Sequence, residues 1–395
     1  MSATVYRSRR SAPGGPDRPA ERRRKARATI YGTRTFAYDT VVVVPARNEE
    51  VGILTSLNSL ARQSVPPDLI IVVVNNSTDN TEAYAASFAA RWQSPKTIVR
   101  VLPNNPHKKA GALNHGIDWL RSQVGGRLDT TVKHLLTMDA DTELHPKFIE
   151  RAMHVMESDE SIGGVSAACF GRTGLWRNPW QRYLLGMQII EYGRAANMRY
   201  RSEVHTMAGA GSFYRGSALQ SLIDLRGKVF WEDHRNLVED YETTLTLKEC
   251  GWKVTANQLC IAYTDLMPTL KELLQQRERW VRGTVDALRR RGWTKFTWHS
   301  IVTMILGLFG AAYVLGWGTT QLAALAVYGV PSQPVFWVLA AFWVIYPAVR
   351  VRNLGWKAMV VEALLIPQLV YTVVRTYWIV SSIFKSYTTR VSSWK

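Results

Sequence analysis

Apolar positions along the first three hundred residues follow two alternating rhythms. Thr40-Val41-Val42-Val43-Val44-Pro45 is a short β-branched run closed by proline, the pattern of a strand buried on both faces. From Glu50 to Gln63 the spacing becomes helical, with Val51, Leu54, Leu57 and Leu60 recurring on one side. Leu69 to Val74 predicts a second strand, followed by a polar turn and a helix around Thr81–Ala90. Lys96–Leu102 and Lys133–Met138 predict a third and a fourth strand. This βαβα order implies an α/β domain with a mostly parallel sheet and helices on both faces. Such sheets bind ligands beyond the carboxyl ends of their strands, so the residues just after each strand are the candidates for chemistry.

Beyond residue 300 the rhythm disappears. Ile301 to Val349 is a run of 49 positions without a charge. It is long enough for two spanning helices of ~20 residues each. The turn formers of Tyr328–Pro334 mark the break between them. A third apolar stretch, Ala363 to Phe384, is interrupted by Pro367, Gln368 and Arg375, and reads as a kinked span or an interfacial segment. Arg277, Arg279, Arg282, Arg289, Arg290, Arg291 and Lys295 precede the first span, and Arg350, Arg352 and Lys357 follow the second. Positive charge stays inside, which places residues 1–300 and the 350–357 loop in the cytoplasm. Three spans would carry Lys385, Arg390 and Lys395 outside, so the third segment's topology stays open. The expectation is an integral membrane protein of a bacterium-like plasma membrane with a cytoplasmic catalytic part. Its divisions would be a basic tail (1–36), an α/β domain (37–296) and a membrane region of two to three spans (297–395).

The chain has 395 residues and a formal net charge of +18. Part of the excess lies in the tail, where Arg7, Arg9, Arg10, Arg18, Arg22, Arg23, Arg24, Lys25 and Arg27 are set among Pro, Gly, Ser and Ala. No apolar h-region accompanies them, so this is not a signal peptide. A disordered tail touching anionic membrane lipids is the simplest reading, with nucleic acid the less favoured partner. An apolar fraction of 47% excludes global disorder. Three cysteines, Cys169, Cys250 and Cys260, show no CxxC or zinc-like spacing, which fits a reducing compartment.

The strand ends are polar in a particular way. They read Pro45-Ala46-Arg47-Asn48-Glu49, Asn75-Asn76-Ser77-Thr78-Asp79-Asn80-Thr81 and Asp139-Ala140-Asp141. The glycine-rich signatures of dinucleotide and P-loop sites do not occur at these turns. Two carboxylates one residue apart can share a hard divalent cation and leave its other positions to phosphate oxygens. Four more segments follow: Lys109-Ala110-Gly111-Ala112-Leu113-Asn114, Gly209-Ala210-Gly211-Ser212-Phe213-Tyr214-Arg215, Val238-Glu239-Asp240-Tyr241-Glu242 and Gln276-Arg277-Glu278-Arg279-Trp280. In this order, over roughly residues 38–300, the motifs resemble family 2 glycosyltransferases with the GT-A fold. They look most like the membrane-embedded cellulose, chitin and hyaluronan synthases.

The resemblance implies a GT-A, Rossmann-like catalytic domain and a role for each matching residue. Ala46, Glu49 and Asn75 would line the nucleoside pocket, with Asp79 as its main contact and Lys109 near the nucleotide. Asp139 and Asp141 would hold Mg²⁺ or Mn²⁺ on the donor diphosphate. Asp240 would be the general base. Gln276, Arg279 and Trp280 would border the donor, with Trp280, Gly211, Ser212 and Glu239 facing the acceptor. The implied activity is inverting transfer from a nucleotide sugar, a UDP-sugar foremost, to a hydroxyl of a glycan acceptor, in one transfer or processively. A polyprenyl phosphate or other lipid or protein acceptor is the alternative within this class, and an inactive membrane scaffold or sugar binder the alternative outside it. Two departures stand out. Asn75-Asn76 replaces the acids many relatives carry, and Val238 replaces a threonine. His115, His205 and His234 read as ordinary hydrogen-bonded or exposed histidines. Trp176, Trp180, Tyr183 and Met187 read as an amphipathic stripe or as core.

Overall fold

The computed structural model describes residues 36–172, 178–198, 203–233, 236–329 and 334–388. The basic tail, Trp176 and His234 lie outside them. Strands β1 (Tyr38–Ala46), β2 (Leu69–Asn75), β3 (Lys96–Leu102) and β4 (Val132–Thr137) form where the apolar runs predict them. They pair in parallel in the order β3-β2-β1-β4, with Val43 opposite both Ile71 and Thr137.

Alternation along β1 explains why helices cover both faces. Val42 and Val44 pack with Ile53, Leu57 and Leu60 of α1 (Ile53–Ala61). Val41 and Val43 point the other way, into a cluster with Leu113, Ile117 and Leu120. Helix α2 (Thr81–Arg91) follows β2, and α3 (Lys108–Gln123) follows β3. The segment Lys109–Asn114 lies inside α3 rather than ahead of it.

The second half of the sheet adds short antiparallel pairings to the expected parallel ones. Strand β5 (Glu143–Leu144) and helix α4 (Phe148–Glu157) precede β6 (Ile162–Gly171) and α5 (Pro179–Met198). Then come β7 (Ser212–Arg215), α6 (Gly216–Arg226), α7 (Glu239–Glu249) and β8 (Lys253–Thr264). The full order is β3-β2-β1-β4-β7-β6-β8-β5. β6 and β8 pair in parallel, whereas β7 runs antiparallel to both β4 and β6, and β5 antiparallel to β8, so the sheet is mixed. β7 has only four residues and β5 two, too short to leave a periodic signal. β7 passes directly into α6 at Gly216. A methyl group there would lie 1.9 Å from the Val132 carbonyl oxygen, so only glycine lets the two backbones meet.

Helix α8 (Leu270–Arg291) opens with a capping box. Thr269 Oγ1 accepts from the Glu272 N–H at 3.2 Å, and Glu272 Oε2 accepts from the Thr269 N–H at 3.2 Å. Beyond it run α9 (Trp298–Tyr328), α10 (Pro334–Arg350), α11 (Trp356–Ala363) and α12 (Leu365–Thr388). The first uncharged run divides at the expected turn. Among the described helices, however, only α9 is long and apolar enough to cross a membrane, against the two to three spans expected. α10 has 17 residues. α12 is tied to the α/β domain instead. Tyr183 Oη donates to the Pro367 carbonyl at 2.9 Å, Lys385 Nζ meets Glu278 at 2.6 Å, and Ser386 donates to Asp286. Tyr371 and Trp378 of α12 form a core with Leu184, Met187 and Leu273, which makes Met187 a packing residue.

Gly216→Ala should lower the melting temperature of the purified protein by several degrees, an overpacking cost of about 1–3 kcal/mol. Thermal unfolding in detergent checks this, and an unchanged melting temperature would mean that β4 yields freely at Val132.

Candidate active site

A cavity of about 1020 Å³ opens beyond the carboxyl ends of β1, β2 and β4. Ala46, Glu49, Asn75, Lys109, Asp139, Asp141, Glu239, Asp240, Gln276, Arg279 and Trp280 all line it. Ala46, Asn75 and Asp139 meet there because successive parallel strands end on the same side, and α7 and α8 complete the lining.

The floor is crowded with acid. Burial, and then the charges of Asp141 and Asp139, push the Glu49 carboxyl up to about 8. Burial and Asp139 likewise raise Asp141 to about 6. Arg172 braces this turn from behind, donating to the Asp141 carbonyl and pairing with Asp265 at 2.8 Å. Among the described residues no three His, Cys, Asp or Glu form a ready metal cage. The Glu49, Asp139 and Asp141 donors are all carboxylate oxygens, however. Carboxylate oxygens are the donor type that a hard divalent cation takes.

Lys109 links the floor to the opposite wall. Its Nζ lies 2.5 Å from Asp139 Oδ1 and 3.0 Å from Glu239 Oε1. Burial works against the ammonium, and these two carboxylates overcome it and hold the lysine above its ordinary pKa. Asp240 is fixed beside it at the first turn of α7. Its Oδ2 accepts from the Gly209 N–H at 3.1 Å and its Oδ1 from the Tyr241 N–H at 2.8 Å. Burial, then Glu239, raise its carboxyl to about 6. A methyl on Gly209 would lie 3.0 Å from Lys109 Nζ and 3.3 Å from Asp240, so this small residue is the one the close approach requires.

Two cations that the sequence did not single out stand on the same cavity. Lys108 is held below its usual pKa by burial and by the charges of Arg279 and Arg47, so the three form one positive patch. Lys108 adopts φ +55°, a left-handed conformation that a side chain rarely takes. Asn75 supports it: its Nδ2 donates to the Lys108 carbonyl at 3.2 Å, and its Oδ1 accepts from Asn105 at 2.9 Å.

Helix α8 supplies the roof. Gln276 Oε1 is buried without a hydrogen-bond partner and lines the cavity. The Trp280 ring rests on Arg277, whose guanidinium carbon lies 4.3 Å from the ring centroid. Arg277 is 3% exposed and pairs with Glu191 at 3.1 Å, and Glu191 also accepts from Tyr371 Oη at 2.8 Å. Neither Arg277 nor Glu191 could be found from the motif, because Arg277 occupies one of its variable positions and Glu191 lies in α5.

Three expected residues are placed elsewhere. Asp79 caps the start of α2, accepting from the Thr81 N–H at 3.1 Å, from Thr81 Oγ1 at 2.5 Å and from the Glu50 N–H at 3.1 Å, and it does not line the cavity. Gly211 and Ser212 lie behind the wall. Gly211 packs against Ala167, and the Ser212 hydroxyl donates to the Ala208 carbonyl at 2.9 Å, so Ala208, Gly209 and Ala210 present themselves instead. Of the histidines, His205 lines the cavity, stacked on His299 with centroids 3.7 Å apart.

The sequence profile of glycosyl transferase family 2 matches residues 41–223, and that of glycosyl transferase family group 2 matches residues 134–380. An N-acetylglucosaminyltransferase of Rhizobium meliloti (strain 1021) is 27% identical over 248 residues, 62% of this chain and 55% of that protein. The chain therefore spans about half the length of that relative. The UDP-forming cellulose synthase of Dictyostelium discoideum is 24% identical in its catalytic polypeptide, over 62% of this chain and 23% of its own. Among solved structures, a mannosyltransferase from Pyrobaculum calidifontis in complex with GDP-Man and Mn²⁺ superposes with a TM-score of 0.57 at 16% identity. That match covers 94% of this chain and 95% of the other, and shows a shared fold.

Lys109→Met should destabilise the protein by about 2 kcal/mol at pH 7.5, less than the 3–5 kcal/mol of a fully buried pair because the site is partly hydrated. Glu239 is the group whose folded pKa the lysine depresses, against burial. Its stabilisation is present above the unfolded carboxylate pKa and is lost as the pH falls through the folded value. The gap between wild type and variant should therefore shrink toward pH 4, and thermal unfolding across that range would expose a gap that does not.

Proposed function

The chain belongs to glycosyl transferase family group 2, the nucleotide-sugar-dependent family 2 glycosyltransferases, and from that premise we propose a membrane-bound, inverting enzyme using a UDP-sugar. A hydroxyl of a glycan or lipid-linked acceptor receives the sugar. One observation carries this reading. A carboxylate held by two backbone N–H groups, an acidic strand-end turn and a patch of three cations all face one cavity. The UDP assignment is supported by the UDP-forming cellulose synthase relative.

The acceptor hydroxyl must lose its proton as it attacks the anomeric carbon. Asp240 is oriented for that role and, with its carboxyl near 6, is ionised at neutral pH. Arg279, Lys108 and Arg47 gather positive charge where a departing diphosphate needs it. Asp139 and Asp141, with Glu49 beside them, would hold Mg²⁺ or Mn²⁺, which supplies further neutralisation of the leaving group when bound. The Mn²⁺ of the archaeal mannosyltransferase complex supports this choice. Gln276 Oε1 offers an unused acceptor to a sugar hydroxyl, and Trp280 a flat apolar surface to a sugar ring. Direct displacement inverts the anomeric centre without a covalent intermediate. α9 supplies the membrane attachment, with the catalytic domain cytoplasmic.

The purified full chain should release UDP from one UDP-sugar in Mn²⁺ or Mg²⁺ and lose the activity on chelation. Asp240→Asn should cut turnover about 10²–10⁴-fold while nucleotide affinity holds. The wild-type rate should rise with pH through about 6 and then level off, because the base works only when deprotonated. Silence with every UDP- and GDP-sugar, together with no metal-dependent binding of UDP, would sink the proposal.

A further inference from the structure

The cavity does not end at the catalytic wall. It continues along Thr303, Met304 and Gly307 of α9 and past Arg375 and Ile379 of α12. Gly307 is nine residues into α9, roughly 13 Å along the axis at 1.5 Å per residue. Exposed tryptophans mark the level at which this helix leaves the domain. Trp293 and Trp298 flank the start of α9, and Trp356 opens α11. Such rings settle at the headgroup level of a bilayer. A polar site that extends past that level meets lipid from the side.

Arg375 is the unusual residue on this path. α12 is apolar around it, with Val373, Tyr377 and Val380 exposed as neighbours. The only other charge on the helix, Lys385, is neutralised by Glu278 at 2.6 Å. Arg375 makes no ion pair or hydrogen bond among the described residues. Glu191, an acid on the same cavity, is already held by Arg277 and Tyr371. Arg375 is exposed on the cavity, so its guanidinium is open to an anionic ligand there.

We infer that the acceptor is a lipid bearing a phosphate in its headgroup and a free hydroxyl beyond it, and that Arg375 holds the phosphate. This rests on the glycosyltransferase reading and names its acceptor class. A neutral glycan offers Arg375 no counter-charge. A phosphate-bearing amphiphile does, with its tail against the apolar faces of α9 and α12 and its hydroxyl reaching toward Asp240. In the transfer, the acceptor oxygen forms a bond to the anomeric carbon, and that carbon's bond to the diphosphate breaks. The electron pair leaves with the nucleoside diphosphate, the hydroxyl proton passes to Asp240, and nothing is oxidised or reduced.

The test reconstitutes the full chain in phosphatidylcholine vesicles carrying a minor fraction of one added lipid. The additions are phosphatidylglycerol, a polyprenyl-diphosphate-linked sugar, diacylglycerol and a polyprenyl monophosphate. Sugar-labelled donor is supplied, and label in the chloroform phase is counted beside UDP release in the same samples. Label should enter phosphatidylglycerol or the polyprenyl-diphosphate-linked sugar, and which of the two identifies the source of the headgroup. In Arg375→Gln the KM for that lipid should rise about tenfold, a change of about 1.4 kcal/mol. The kcat should stay within a factor of about three, the signature of lost uniform binding, and Arg375→Lys should recover most of the KM. Equal labelling of diacylglycerol, labelling of the monophosphate, water-soluble glycan product, or an unmoved KM in Arg375→Gln would each overturn the inference. UDP release with no lipid labelled overturns it and leaves the donor chemistry standing. No UDP release in any sample overturns the underlying reading as well.

Discussion

Carboxylates gathered on one cavity repel each other, and in this molecule Lys109 is what lets them stay together. At an effective dielectric of ~20, two like charges about 5 Å apart repel by about 3 kcal/mol. Glu49, Asp139, Asp141, Glu239 and Asp240 arrive from three separate parts of the chain with no covalent reason to remain close. Lys109 binds one acid from the strand-end turn and one from the start of α7, so β4 and α7 are fastened across the site by one ammonium. The features around it follow from that bond. Gly209 has no side chain because the lysine and Asp240 occupy the space. The α7 N-terminus favours two adjacent acids because its dipole and a cation face them together.

Placing that lysine is the work of the β3–α3 connection. Asn75 at the end of β2 grips the Lys108 carbonyl, and Asn105 grips it from the other side at 2.6 Å. Lys108 is thereby kept in its left-handed conformation, one residue before the clamp. The replacement of an acid by Asn75 gains a reason here. A carboxylate has no N–H to donate to that carbonyl, whereas an amide donates to Lys108 and accepts from Asn105 at once. The neutral residue thus serves the loop geometry in the place where the family resemblance led one to expect a charge.

Much of this was legible in the sequence because parallel strands advertise themselves. Four apolar runs marked β1 to β4, and the polar residues immediately after β1 and β4 fell on the cavity. Residues whose roles depend on contacts between distant elements were not legible. Asp79 reads as a ligand residue by its place after β2, yet Thr81 and the Glu50 N–H take up its oxygens at the helix start. Gly211 and Ser212 belong to a visible small-residue motif, but the turn into β7 presents Ala208–Ala210 and buries the rest. The antiparallel strands β5 and β7 were silent because two and four residues carry no period. Arg375 was visible only as an interruption of an apolar run. Its meaning needed the cavity beside it.

Tertiary contacts of the same kind join Trp280 of α8 to α12. The Trp280 ring is set by Arg277 beneath it, and Arg277 is set by Glu191. Glu191 in turn accepts from Tyr371 on α12, the helix that carries Arg375 one turn further on. A change in how α12 lies against α8 therefore reaches Trp280 through two hydrogen-bonded side chains, and the reverse holds equally. The strength of this coupling follows from burial. Arg277 is nearly inaccessible to water, so losing Glu191 leaves a charge that solvent does not rescue. The energy that keeps Arg277 paired is thus also the energy that holds the Trp280 ring and α12 in register.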